Sequence, residues 1–138
     1  MYIELGCGRN PRAGYVGIDK RNFGQKYVLD IVKGLPFENE AINGIYASHF
    51  FEHLSQDDII KVLNECHRVL KNGAEIWIIV PHKDNDRAYI LYHKTFFTEE
   101  TFRDLEKSGK WKTLELIKNE RPDIHWKAIK ICTPMKNT

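Results

Sequence analysis

Ile3-Glu4-Leu5-Gly6-Cys7-Gly8 is the stretch that decides how this chain folds. An apolar run reaches an acid and then breaks into two glycines spaced by one residue. A buried strand ends this way when its tip must leave room for a ligand. Glycine has no Cβ, so the backbone turns tightly and a ligand approaches it closely. More short apolar runs follow, and several end in a polar residue. Tyr2 to Leu5 is the first strand. Tyr15-Val16-Gly17-Ile18 is a second, ending in Asp19, and Tyr27-Val28-Leu29 a third, ending in Asp30. Gly44-Ile45-Tyr46-Ala47 is a fourth, running into Ser48 and His49. The connections among the first strands are short polar loops, with Pro11 and Gly14 punctuating the first.

Helices come later. Ser55 with Asp58 forms an N-cap pair. Ile59, Val62, Leu63, Cys66, Val69 and Leu70 recur at helical spacing, with Lys71 in the last turn and Gly73 placed to end it. Glu75 to Val80 is the most apolar strand, so it is expected near the centre, and Pro81-His82 stops it. Thr98 caps a short second helix, with Glu99 and Glu100 in its first turn and Gly109 after it. Trp111 to Ile117 and His125 to Thr133 are two more strands, close enough to pair antiparallel. Up to seven strands and two good helices put the chain in the α/β fold class.

The 138 residues make one domain, 1–138, large enough for a real core. Hydrophobic residues at 42% and charged residues at 29% are ordinary for a soluble globular protein. A net charge of +2 gives no polyanion signal, and nucleic acid is disfavoured as a partner. The stretch from Gly109 holds seven Lys/Arg against three Asp/Glu, which reads as a solvated surface. Cys7, Cys66 and Cys132 are odd in number and form no CxxC, as free thiols of an intracellular protein do. No apolar run reaches membrane-spanning length and no signal peptide precedes the first strand, so a cytoplasmic location and no membrane partner are expected.

In an open parallel sheet, ligands sit outside the carboxyl ends of the strands. A glycine turn, an acid after the next strand and another after the third suit a nucleoside. The first acid accepts both ribose hydroxyls and the second accepts from an exocyclic amine. The dinucleotide fingerprint fits poorly, because Pro11 stands where its third glycine belongs. Between Gly8 and Tyr15 there is no room for a helix to hold a pyrophosphate. A phosphate-free nucleoside fits better, and S-adenosylmethionine is the common one.

With those residues in place, the sequence resembles a class I S-adenosylmethionine-dependent methyltransferase, and the resemblance implies a Rossmann-like, mostly parallel seven-stranded sheet with an antiparallel last strand and minimal helices. Ile3 to Gly8 is similar to that family's first motif, Asp19 to its ribose-binding acid, and Asp30-Ile31 to its adenine-side motif. Leu35-Pro36-Phe37, Ile45 to His49 and Glu52-His53-Leu54 resemble its fourth-strand block. Glu65, Arg68 to Ala74 and Val80-Pro81 resemble the helix and fifth strand that follow. The ordered match covers residues 3–82. The resemblance implies that Glu4 and the Gly6-Cys7-Gly8 backbone lie near the methionine moiety. It places Asp19, with Lys20 beside it, on the ribose, and Asp30 with Ile31 at the adenine. Ser48 and His49 would close the pocket.

Three departures stand out, the largest being missing helices. Asn10 replaces the third glycine, and Lys71-Asn72-Gly73-Ala74 stands for Lys-Pro-Gly-Gly. The helices that normally follow the first strands are missing, as in a short branch often found with glycan-processing genes. Parallel sheets are normally covered on both faces. Two helices cover one, so the other is expected to expose apolar strand residues and to be buried by a homo-oligomer or a partner protein.

Methyl transfer asks little of side chains, because the sulfonium is already activated and positioning supplies much of the rate. A base is needed only where the acceptor loses a proton. His82 is the first candidate, then His53 and His93. Tyr89, Tyr92, Phe96 and Phe97 either line an acceptor pocket or pack in the core. His49-Phe50-Phe51-Glu52-His53 spells H-x-x-E-H, an inverted zinc-peptidase motif. That motif needs both histidines on one continuous helix and a third ligand nearby. Here His49 falls at a strand end and Ser55 begins the helix, so no metal site is expected. The reading is a methyltransferase with a small-molecule or sugar (glycan) acceptor. The alternatives are a degenerate S-adenosylmethionine-binding subunit that supports a partner, and an RNA methyltransferase using the basic tail.

Overall fold

The computed structural model describes residues 1–131. Seven strands alternate with two helices: β1 Tyr2–Leu5, β2 Val16–Asp19, β3 Tyr27–Val28, β4 Ile42–Ser48, α1 Gln56–Val69, β5 Leu70–Pro81, α2 Glu99–Lys107, β6 Trp111–Lys118 and β7 Asp123–Lys130. They form one sheet in the order β3-β2-β1-β4-β5-β7-β6. β1 to β5 pair in parallel, and β7 runs antiparallel between β5 and β6. This is the expected mixed, Rossmann-like sheet. The order reverses beside β1, so the carboxyl ends of β1 and β4 flank a crevice.

Alternation along the strands separates the two faces. Ile3, Leu5, Ile18, Ile45, Ile76, Ile78 and Trp126 point into a core shared with Val62, Leu63, Cys66 and Val69 of α1 and Phe102 of α2. The predicted helix starts hold. The Ser55 hydroxyl accepts from the Asp58 N–H at 3.2 Å, and Thr98 forms a capping box with Thr101. The predicted end of the first helix does not. α1 stops at Val69, and Leu70 turns extended, fully buried and paired with Ile42. Gly73 lies inside β5 at φ 78° rather than at a helix cap. Burying Leu70 in the sheet outweighs another helical turn that would carry Lys71 and Asn72.

The face without helices also differs from expectation. Register places Glu4, Tyr46, Trp77 and Lys127 side by side across four strands. Their rings form a row: Tyr2 to Tyr15 at 5.6 Å, Tyr15 to Tyr46 at 5.9 Å, Tyr46 to Trp77 at 4.9 Å. The Arg12 guanidinium lies 5.0 Å from the Tyr46 ring and 4.9 Å from Trp77, and the Lys127 ammonium lies 4.4 Å from Trp77. The face is therefore an aromatic row stacked with cations, not a bare apolar sheet. The loop between β1 and β2 folds down onto it. A Cβ on Gly17 would come within 2.6 Å of Cys7 Sγ and 2.9 Å of Pro11 Cγ, so this loop takes the place of a crossover helix.

Cys7 and Cys66 are free, as expected, whereas Cys132 and the predicted strand end at Thr133 lie outside the described residues. Among the described residues no helix is long and apolar enough to cross a membrane.

Candidate functional site

The carboxyl ends of β1 to β4 gather most of the residues singled out in the sequence. After β1 the chain turns through Gly6 (φ 64°) and Gly8 (φ 62°), with the Gly6 and Cys7 N–H groups donating to the Ile18 carbonyl at 2.8 and 3.3 Å. Asp19, at the end of β2, fastens that turn. Its Oδ2 accepts from the Gly8 N–H at 3.0 Å and its Oδ1 from the Arg21 N–H at 3.0 Å. A carboxylate has about four acceptor sites, so both oxygens retain capacity for a hydroxyl. Asp30 Oδ1 accepts from the Val32 N–H at 3.1 Å and opens a 3-10 turn, Ile31–Lys33, with Ile31 buried. Among the described residues its other oxygen has no donor. Lys20 is exposed beside Asp19.

Glu4 is buried and accepts from the Arg12 N–H, so it braces the loop over the sheet. Burial raises its carboxyl above the usual value, and the Arg12 backbone hydrogen bond and charge oppose that rise. Cys7 is buried as well. Burial, then the nearby Asp19 and Glu4 charges, push its thiol up, so it stays protonated. Across the crevice Ser48 ends β4. His49 follows at φ 55°, its N–H held by the Ile79 carbonyl at 2.8 Å. Phe50 then lies on Gly6, where an added Cβ would stand 2.5 Å from its ring. A Cβ on Gly8 would meet nothing within 4 Å. The rim thus offers open space against a glycine backbone, flanked by two carboxylates able to accept hydrogen bonds. That set suits a nucleoside.

The histidines separate into two places. His82 is buried. Its Nδ1 accepts from the Asp84 N–H at 3.0 Å and its Nε2 lies 2.7 Å from Glu99 Oε1, so it ties the end of β5 to the first turn of α2. His53 and His93 meet edge to face with ring centroids 4.7 Å apart. Glu52, 1% exposed, has a carboxylate oxygen within 4.8 Å of a ring nitrogen of each, and no hydrogen-bond donor reaches either of its carboxylate oxygens among the described residues. His49 Nδ1 stands 3.3 Å from Glu52 Oε2, within ion-pair range but off the line of a hydrogen bond. That approach raises the His49 ring above the usual imidazole value, against burial.

Of the four aromatic residues weighed for an acceptor pocket, Tyr89, Tyr92, Phe96 and Phe97, only Phe97 is in the core. Tyr89 and Phe96 pair at 5.1 Å on the surface, and Tyr92 is exposed. An apolar cleft of about 220 Å³ runs between α1 and α2, lined by Ile59, Ile60, Leu63, Phe96, Phe102 and Leu105, and includes none of the rim residues. The sequence reading missed Glu52 as a lone buried acid and Phe50 as the partner of Gly6. The only signal was the H-x-x-E-H spelling, and nothing local brings His93 to it.

A family model described as a methyltransferase domain matches residues 7–78, more than half of the chain. The chain belongs to the methyltransferase-domain family. Solved structures agree on the class I fold of this methyltransferase domain. A SAM-dependent methyltransferase from Archaeoglobus fulgidus superposes with TM-score 0.75 at 17% identity, over 94% of this chain and 85% of that one. The methyltransferase of a Haloferax volcanii complex, a putative methyltransferase with the Trm112 methyltransferase activator, gives TM-score 0.76 at 13% identity, covering 96% and 82%. The 1,6-didemethyltoxoflavin-N1-methyltransferase of Burkholderia thailandensis, solved with bound 1,6-didemethyltoxoflavin and S-adenosylhomocysteine, gives a TM-score of 0.74 at 16% identity, covering 95% of this chain and 71% of that one. No curated protein matches the sequence.

Proposed function

We propose that this methyltransferase domain binds S-adenosylmethionine at the rim of β1 to β4 and moves its methyl group to a small-molecule or sugar acceptor. The observation that carries the reading is Asp19, joined to the Gly8 N–H at 3.0 Å. It sets an acceptor for ribose hydroxyls directly beside a glycine turn with open space. Asp30 and Ile31 would take the adenine, its exocyclic amine donating to the free Asp30 oxygen. The Gly6-Cys7-Gly8 backbone, with Glu4 behind it, would border the methionine end. Ser48 and His49 close the far side, and Lys20 flanks the ribose. Because the sulfonium is itself the activated donor, these residues act by orienting it. For an acceptor that must lose a proton, His53 and His93, as long as no metal ion occupies them, stand ahead of His82, whose two ring nitrogens are engaged by Asp84 and Glu99.

A second reading, in which the domain works with another protein, is favoured by the Haloferax volcanii relative in complex with an activator. A second copy or a partner would then cover the aromatic face. The free Cys7 and Cys66 suit a reducing, cytoplasmic compartment. Calorimetric titration with S-adenosylmethionine tests the main reading. Saturable binding that Asp19→Ala weakens more than about tenfold, the loss of roughly one charged hydrogen bond, supports it. Equal affinity in the variant would refute the site, and no binding would refute the function.

A further inference from the structure

Glu52 is the least explained residue in the molecule. A buried carboxylate is costly unless it is paired, hydrogen-bonded or bound to a metal, and among the described residues Glu52 has one ion-pair neighbour, His49 Nδ1 at 3.3 Å, and no hydrogen-bond donor. Its neighbours are metal ligands by type. Glu52, His53 and His93 bring one ligand atom each within 4.8 Å of one another. From this cluster we infer that Glu52, His53 and His93 form a divalent-metal site that takes a first-row ion of the zinc type.

The scaffold around the cluster is built to hold it. A 3-10 turn, Phe51–His53, places the acid and one imidazole in succession without a long helix. The third ligand arrives from a distant segment pinned to the same turn: the Glu52 carbonyl accepts from the Lys94 N–H at 2.8 Å and the Thr95 N–H at 3.3 Å. His93 Nδ1 lies 3.3 Å from the Ala88 carbonyl. That carbonyl accepts only an N–H, so it fixes the proton on Nδ1 and leaves Nε2 as a free lone pair. Metal-bound histidines are oriented by this kind of outer hydrogen bond. His49 Nδ1, 3.3 Å from Glu52 Oε2, is the matching outer partner on the carboxylate.

Two imidazoles and one carboxylate select zinc, iron or manganese over magnesium or calcium. The same donor set holds catalytic zinc with an open coordination position. Bonds of about 2.0–2.1 Å require ligand atoms somewhat closer than the observed limit. His53 is exposed and its side chain is free to close that distance. Phe50, directly before the turn, lies on Gly6, so the backbone that carries Glu52 and His53 runs on from the rim. The ion's open position would take water or an acceptor oxygen and make that oxygen easier to deprotonate. This last role rests on the proposed cofactor site, whereas the binding of the ion does not.

Untagged full-length protein, stripped with chelator, is titrated with zinc alone by calorimetry, and with cobalt followed by its visible d–d bands. One ion per chain is expected. Even an outer partner is worth about 10–100-fold, so His53→Ala and His93→Ala should each weaken zinc more than about 100-fold, and His49→Ala about tenfold or more. Glu52→Gln should match the first two. His53 is exposed, so its variant remains informative where a change at the buried Glu52 compromises folding. His125→Ala, on the opposite sheet face, should bind as the wild type does. No saturable zinc, or full affinity in His53→Ala, would overturn the inference. S-adenosylhomocysteine is titrated into the same stripped protein. Zinc failing while the nucleoside binds removes only the metal site, and the reverse removes only the cofactor reading.

Discussion

Gly6 and Gly8 serve different ends although both sit at positive φ. An added Cβ at Gly6 meets the Phe50 ring at 2.5 Å, while at Gly8 it meets open space. Gly6→Ala therefore carries both backbone strain and a clash, and should cost about 2–3 kcal/mol in urea unfolding. Gly8→Ala carries strain alone, about 1 kcal/mol, and should show its larger effect as lost S-adenosylhomocysteine affinity. Equal losses of stability in the two variants would contradict this division. The two-glycine turn and its acids were legible because glycine and strand-end carboxylates mark backbone geometry locally. The contact of Phe50 with Gly6 was not, since it joins two strand ends 44 residues apart in the chain, Gly6 and Phe50. The cysteines make a further test at this scale. Burial drives the Cys66 thiol far above its usual range and raises Cys7 less, so Cys66 should resist thiol reagents in the folded protein at mildly alkaline pH. Its rapid labelling without unfolding would contradict the packing.

At the scale of elements, α1 is fastened to the connector before β4 by a two-residue clamp. Glu65 Oε2 accepts from the Leu35 N–H at 2.7 Å. Arg68 donates to both Glu65 oxygens at 2.6 and 3.0 Å, to the Leu35 carbonyl at 3.1 Å and to the Phe37 carbonyl at 2.9 Å. The clamp orders a stretch that has no helix of its own. Arg68→Ala should cost about 2 kcal/mol of stability, in line with charged hydrogen bonds, measured by denaturant unfolding. Foremost the Arg68 hydrogen bonds, then the Leu35 N–H, hold the Glu65 carboxyl below its ordinary 4.5, against some desolvation. The unfolded chain thus binds that proton more readily, and the stabilisation is present at neutral pH and lost as pH falls below 4.5. Wild type should lose stability more steeply than Glu65→Gln over that acid range; parallel curves would contradict the coupling. Sequence periodicity found where α1 begins because a cap is a local signal. It misplaced the end because Leu70 is claimed by the sheet through its pairing with Ile42.

For the whole molecule, the missing crossover helices have a physical answer in Arg12. It bonds to Glu4 through its backbone and stacks over Tyr46 and Trp77. No periodicity in the sequence announces that arrangement, because it joins a loop to three strands through register alone. Tyr2 remains 48% exposed on this face and Ile117 46%, so association is still expected. Sedimentation at micromolar concentration should show a species heavier than one chain, and a clean monomer would contradict coverage by a second copy. The glycine turn and the order of strand-end acids followed from local signals, and the Rossmann-like sheet followed from the family resemblance those signals carry. The cluster of Glu52, His53 and His93 needed tertiary structure. The function of the rim depends on where a nucleoside binds. A crystal structure of the chain with S-adenosylhomocysteine decides it: the ribose hydroxyls should lie within about 3 Å of the Asp19 carboxylate, at ordinary hydrogen-bond distance. A ligand seated instead in the apolar cleft between α1 and α2 would contradict the account.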